Sequence, residues 1–101
     1  MDGFVKALQM SEIIQGRGKI VILNGHEIAV LKSGEKVYAL DNSCPHKGGP
    51  LGEGVVMGNM VICPWHGWPF DVNNGHCSIN PRASVSCYEV KIEGDDIFIK
   101  L

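Results

Sequence analysis

Two short clusters carry donor atoms at spacings that chemistry can use. The first is Cys44-Pro45-His46 and the second, seventeen residues beyond His46, is Cys63-Pro64-Trp65-His66. Each pairs one thiolate donor with one imidazole donor, in the pattern C-x-H-(x)16-C-x-x-H. Two thiolates and two imidazoles suit a tetrahedral zinc. They are also what a [2Fe–2S] cluster needs when His replaces Cys on one of the two irons. Cys44 and His46 lie two apart and point to the same side of an extended segment. Cys63 and His66 lie three apart, as in a tight loop wrapped around a ligand. Sixteen residues separate His46 from Cys63, enough for a loop and a returning strand, so two loops can face each other and grip a cluster. Gly48-Gly49 and Gly67 follow the two histidines. They let backbone amides approach bridging sulfides and hydrogen-bond them, which tunes a cluster's potential. Pro45 and Pro64 stiffen the loops.

The elements that must hold these loops read as β. Residues 4–8 form an opening strand and 11–14 a single helical turn, broken at Gly16-Arg17-Gly18. Apolar runs at 19–23 and 27–31 flank Asn24-Gly25, a hairpin signal because a type I′ turn needs positive φ at both positions. Ser33-Gly34 turns the chain into a strand at 36–40. From 42 to 58 no regular pattern survives, and this stretch holds the first cluster. Short strands are expected at 60–63 and 70–72, the latter turning at Asn73-Asn74-Gly75. Residues 84–92 alternate Val85, Cys87, Tyr88 and Val90 with polar residues, and 97–101 closes the chain. Short strands with Gly- and Pro-rich turns predict an all-β fold, a small antiparallel barrel or sandwich. The expected organisation is one domain over 1–101. Its base is about 1–42 and 83–101, and an inserted cluster-binding subdomain covers about 43–82.

Composition bounds the alternatives. The chain has 101 residues, 45% hydrophobic and 20% charged, as an ordinary globular domain has. Net charge is −2 and the basic residues are scattered, which argues against nucleic acid as a partner. No apolar run reaches about 18 residues, so no membrane span is expected. The N-terminus lacks a basic region followed by an apolar stretch, so no secretory signal and a cytoplasmic, reducing location are expected. Four cysteines, Cys44, Cys63, Cys77 and Cys87, allow two disulfides in principle. In a reducing compartment, Cys together with His more often binds metal.

The segments 44–51 (CPHKGGPL) and 63–71 (CPWHGWPFD) resemble those of Rieske iron–sulfur proteins, in particular the ferredoxin components of bacterial ring-hydroxylating oxygenases. The resemblance runs over essentially the whole chain. It implies the Rieske fold and one [2Fe–2S] cluster, with Cys44 and Cys63 on one iron and His46 and His66 on the other. It implies a one-electron carrier and no catalytic residues, the added electron residing on the histidine-ligated iron. Imidazole is neutral and thiolate anionic, which makes that iron the easier to reduce. A flavin-containing reductase is the implied donor and a terminal oxygenase the implied acceptor. Docking would be transient, near His46, His66 and Trp65, with Gly48–Leu51 and Pro81 around them. Pro81 would belong to a third loop covering the cluster. A monomer is the default.

Departures from the respiratory members of the superfamily are informative. Their extra pair of cysteines, joined as a disulfide, corresponds here to Gly49 and Trp65. Their Ser and Tyr hydroxyls beside the cluster correspond to Trp68 and Phe70. Hydroxyl donors stabilise the more negative reduced cluster, so their absence implies a potential toward the low end of the range of roughly −150 to +300 mV. The midpoint should then be flat with pH near neutrality. Two alternatives stand beside this reading. One is the small subunit of an NADH-dependent nitrite reductase, whose family shares the fold but has often lost the ligands. The other is a zinc-stabilised binding module, though a single zinc explains neither the glycines after each histidine nor the flanking sequence.

Other residues receive structural readings. Cys77 and Cys87 read as buried small hydrophobes, with a disulfide between them the lesser alternative. His26 and His76 sit in turns, His26 exposed. Trp68 reads as packing beneath the cluster, and Phe70 and Tyr38 as core aromatics. Lys47 and Glu53 flank the first loop as surface charges.

Overall fold

Asn24 and Gly25 both have positive φ, 50° and 83°, and join β2 (Gly18–Leu23) to β3 (His26–Ser33). Leu23 pairs with His26 across that turn, the register a two-residue type I′ hairpin imposes. β4 (Lys36–Asp41) continues the meander against β3. The computed structural model describes residues 3–14, 16–34, 36–43, 49–65, 67–80 and 82–101. β1 (Phe4–Gln9), β8 (Cys87–Glu93) and β9 (Asp96–Lys100) complete a six-stranded antiparallel sheet. Its order is β1-β9-β8-β4-β3-β2. β1 comes back against β2, so the sheet curls into a nearly closed barrel. A single 3₁₀ turn, Met10–Glu12, follows β1 one residue earlier than the sequence suggests. There the Glu12 carboxylate accepts from the Gln9 backbone N–H at 2.7 Å.

A second sheet of three short strands, β5 (Val55–Met57), β6 (Met60–Ile62) and β7 (Pro69–Asp71), stands beside the barrel. β5 lies in the stretch where no strand was expected. Three residues are too few for alternation to emerge from a Gly- and Pro-rich background, and pairing with β6 is what extends them.

Two cores follow from this arrangement. Inside the barrel, Ile28 and Val30 of β3 and Val37 and Ala39 of β4 pack with Leu8, Ile13, Ile97 and Ile99. On the barrel's outer side, Ala29, Leu31 and Leu40 pack with Leu51, Val56, Val61, Cys63 and Phe70. β3 is therefore buried on both faces, which is why residues 28–31 are an unbroken apolar run with no polar alternation. β8 begins at Cys87 rather than 84, and its inward residues are Tyr88 and Val90. Cys87 faces outward and is exposed, a correction to its reading as a buried residue. Val85 is buried, but in the loop before the strand, where its N–H donates to the Gly75 carbonyl at 2.9 Å. Among the described residues no helix is long and apolar enough to cross a membrane.

Candidate metal centre

The β6–β7 hairpin carries the second donor cluster at its tip. Met60, Val61 and Ile62 pair with Asp71, Phe70 and Pro69. The ladder extends one step further, with Cys63 N–H donating to the Trp68 carbonyl at 2.9 Å. Gly67, at φ +69°, donates to the Cys63 carbonyl at 2.9 Å and closes the loop. Cys63 thus sits at the root of the loop with its thiol turned into the outer core, 1% exposed, while Pro64 and Trp65 project into solvent.

The described residues that flank the first donor cluster in sequence are tied together. Ser43 bridges Pro50, and Leu51 N–H donates to the Asn42 carbonyl at 2.8 Å. Asn42 is the buried polar residue of this region, 3% exposed. Its Oδ1 accepts from Gly52 N–H at 2.8 Å, and its Nδ2 donates to Glu27 Oε1 at 2.9 Å. The amide therefore pins these flanking residues to β3. Nothing in the sequence marked this role, because Asn in a turn region is ordinarily a solvent-facing turn former. Asn42→Ala strands the buried Gly52 N–H and is expected to cost about 1–3 kcal/mol. Urea titration of the loaded protein measures that loss, and an unchanged midpoint would contradict it.

The two loops meet at Gly49. A methyl group built on this buried glycine would stand 2.8 Å from Cys63 Sγ and 3.1 Å from Cγ of Trp65. Only a residue without Cβ allows so close an approach. This is the close backbone approach that the glycines suggested. It also brings together Gly49 and Trp65.

Of the four expected ligands, Cys63 is described. Cys44, His46 and His66 lie outside the described residues, as do Lys47, Gly48 and Pro81. Among the described residues no three His, Cys, Asp or Glu side chains gather around one point. The third loop packs beside the second: Ser78 N–H donates to the Pro69 carbonyl at 3.0 Å, and Cys77 N–H to the Ala83 carbonyl at 3.1 Å. Trp68 packs half-buried on the outer core, Tyr38 likewise, and Phe70 is fully buried. His26, His76 and Glu53 are exposed. An apolar groove of about 390 Å³ runs along the outer face of β5 and β6 to Pro64 and Gly67, past Val55, Met57 and Ile62.

Cys77 is buried in the outer core, and Cys63, Cys77 and Cys87 are all free thiols. Partial burial of the Cys87 thiol raises its pKa above the ordinary thiol value, and the nearby Asp71 carboxylate adds to the effect. The thiolate is the reactive form, so an alkylating reagent near neutral pH is expected to modify Cys87 more slowly in the folded protein than in urea. Asp71→Asn should narrow the difference. Equal rates in the two states, read by mass spectrometry, would contradict this.

The donor types in the sequence, two thiolates and two imidazoles, fit the chemistry of a [2Fe–2S] cluster. Cys63 is a free sulfur, and Gly49, which has no side chain, lets the opposite segment come close to it.

Comparison with known proteins agrees with this geometry. The model of the Rieske [2Fe-2S] domain matches residues 3–89. The ferredoxin component of the naphthalene 1,2-dioxygenase system from Pseudomonas aeruginosa is 32% identical over 101 residues, which cover 99% of this chain and 97% of that protein. The ferredoxin of carbazole 1,9a-dioxygenase from Nocardioides aromaticivorans superposes with a TM-score of 0.89 at 26% identity, covering 98% of each chain. A Mycobacterium tuberculosis protein described as an NADH-dependent nitrite reductase small subunit superposes with a TM-score of 0.90 at 26% identity, covering 97% of this chain and 94% of that one. Other relatives are much longer, and the chain spans 14% of the length of one of them. The chain belongs to the Rieske [2Fe–2S] domain family, as an electron carrier of the ferredoxin type with one [2Fe–2S] cluster as its cofactor.

Proposed function

We propose that Cys44 and Cys63 hold one iron and His46 and His66 the other, and that the protein carries single electrons from a flavin-containing reductase to a terminal oxygenase. The observation that carries this reading is likeness along the whole chain to a ferredoxin component of a dioxygenase system. The cluster supplies one-electron redox chemistry when bound. The chain's own residues do the rest. Cys63 offers a buried thiol, Asn42 pins the residues that flank the first donor cluster, and Gly49 lets the two segments approach closely. The separation of strands supports one Rieske domain over 1–101, with a base at about 1–42 and 83–101 and a cluster-binding part at about 43–82.

Docking takes place near His46, His66 and Trp65. Trp65 is 58% exposed, and an exposed aromatic is suited to a small, short-lived redox contact. Trp68 and Phe70 carry no hydroxyl, which supports a potential low in the Rieske range. The free thiols of Cys77 and Cys87 accord with a cytoplasmic location.

An optical spectrum, followed by EPR after dithionite reduction, tests the reading. A red-brown protein, EPR-silent when oxidised, should give a rhombic signal with average g below the free-electron value. A colourless protein with one zinc per chain would overturn it. A fixed place in a nitrite reductase is the second reading, favoured by the TM-score of 0.90. Co-purification with a large flavin or sirohaem subunit would select it.

A further inference from the structure

Trp65 is a large aromatic on a hairpin tip, and 58% of it is in water. The rest of the ring has a defined place. The bare Cα of Gly49 faces both Cys63 Sγ and the indole, and a methyl there would stand 3.1 and 3.2 Å from ring atoms Cγ and Cδ2. Sulfur and ring thus converge on one point of the opposite loop. Cys63 is 1% exposed although Pro64 and Trp65 directly after it, and Gly67 beyond, are exposed. On its core side the thiol has the outer-core cluster that includes Leu51 and Phe70. On its loop side it has Gly49, against which the indole also lies.

We propose that Trp65 is a non-covalent clasp: its indole closes the second loop over Gly49 of the first and keeps water from the Cys63 sulfur. The proposal rests on Cys63 being a cluster ligand. A residue without a side chain on one loop and a wide flat ring on the other make a complementary pair, and any Cβ at 49 displaces one member of it. The physical consequence is a dry thiolate. Water reaching a ligand sulfur would hydrogen-bond it and stabilise the more negative reduced state, raising the potential. Trp65 acts here as a positioning residue, and the effect needs no redox partner.

The test uses the full chain loaded with its cluster. Loss of visible absorbance in the presence of an iron chelator gives a retention time, and film voltammetry gives the midpoint. Trp65→Ala is expected to lose its cluster about tenfold faster than wild type and to shift the midpoint upward. Trp65→Phe, which keeps a flat ring, should restore most of both. Gly49→Ala should resemble Trp65→Ala. A residue serving only to dock a partner would leave both readouts unmoved. Trp65→Ala with wild-type retention and midpoint therefore overturns the clasp. If Trp65→Ala does not load, Gly49→Ala decides: faster loss with a raised midpoint supports the clasp, and wild-type values overturn it. A wild-type protein that never gives a Rieske spectrum would instead overturn the ligand assignment, and the clasp with it.

Discussion

Cys63→Ser should yield a protein that keeps less than about a tenth of its iron and lacks the visible absorbance of wild type, because iron–sulfur chemistry selects the soft thiolate. A serine hydroxyl does not ionise near neutral pH, so the substitution removes an anionic ligand as well as a soft one. Cys63 is the described member of the proposed ligand set, and its 1% exposure makes it immune to trivial surface explanations. Burial also exposes the experiment to a folding artefact, since a hydroxyl left in an apolar core costs about 1–3 kcal/mol. Cys77→Ser supplies the control. Cys77 is 4% exposed in the same core cluster as Cys63, so it bears a similar folding cost while leaving the donor set intact. The expected result is a coloured Cys77→Ser protein beside a colourless Cys63→Ser protein, with iron per chain measured for both. A coloured, fully loaded Cys63→Ser protein would remove Cys63 from the ligand set.

Phe70→Ala is the second large effect. Phe70 is 0% exposed, pairs with Val61 on β6, and bridges Cys77 on its other side. It therefore holds the hairpin carrying Cys63 to the third loop and to the outer core. Truncating a buried phenylalanine costs about 3–5 kcal/mol, against a total near 5–15 kcal/mol for a domain. For a chain of this size that corresponds to a fall in Tm of roughly 15–30 °C. Ile99→Ala, which empties space in the barrel core instead, should cost a comparable amount. The two should differ in cluster retention. Phe70→Ala loosens the sheet from which the second ligand loop springs, so its cluster bleaches faster at temperatures where the fold persists. Ile99→Ala leaves that sheet intact. Calorimetry with absorbance followed at the same temperatures checks both points. A fall in Tm of only a few degrees for Phe70→Ala would show that the outer core closes around the gap.

Parts of this fold are legible because they are local. Asn24-Gly25 dictates its own hairpin, since the φ requirement of a type I′ turn falls on those two residues and no distant contact is needed. The meander of β2, β3 and β4 follows from such turns, and the closing pair β8 and β9 from the turn before Asp96. Phe70 as a core aromatic was likewise readable, because a large apolar side chain in a short strand has few other places to go. The donor types and their spacing identify the class of chemistry for the same reason: softness and charge belong to the side chains themselves.

What failed to show in the sequence depends on neighbours far along the chain. β5 is three residues long and becomes a strand through β6. Cys87 looked like an inward residue of an alternating strand, but the strand starts later than the pattern suggested, and alternation has no absolute phase until a neighbour sets it. The buried run at 28–31 marks a strand in any reading. That it separates two cores, one inside the barrel and one beneath the second sheet, is settled by where Leu51, Val61, Phe70 and Val85 pack.

By itself, then, the chain determined its donor chemistry, its hairpins and its all-β character, all properties of residue type and short spacing. Tertiary structure alone decided that Asn42 is buried and pins a loop, that Cys87 faces water, and that Gly49 meets Cys63 and Trp65. Each of these depends on which surfaces the packed sheets cover, and that is fixed by contacts between segments 10 or more residues apart.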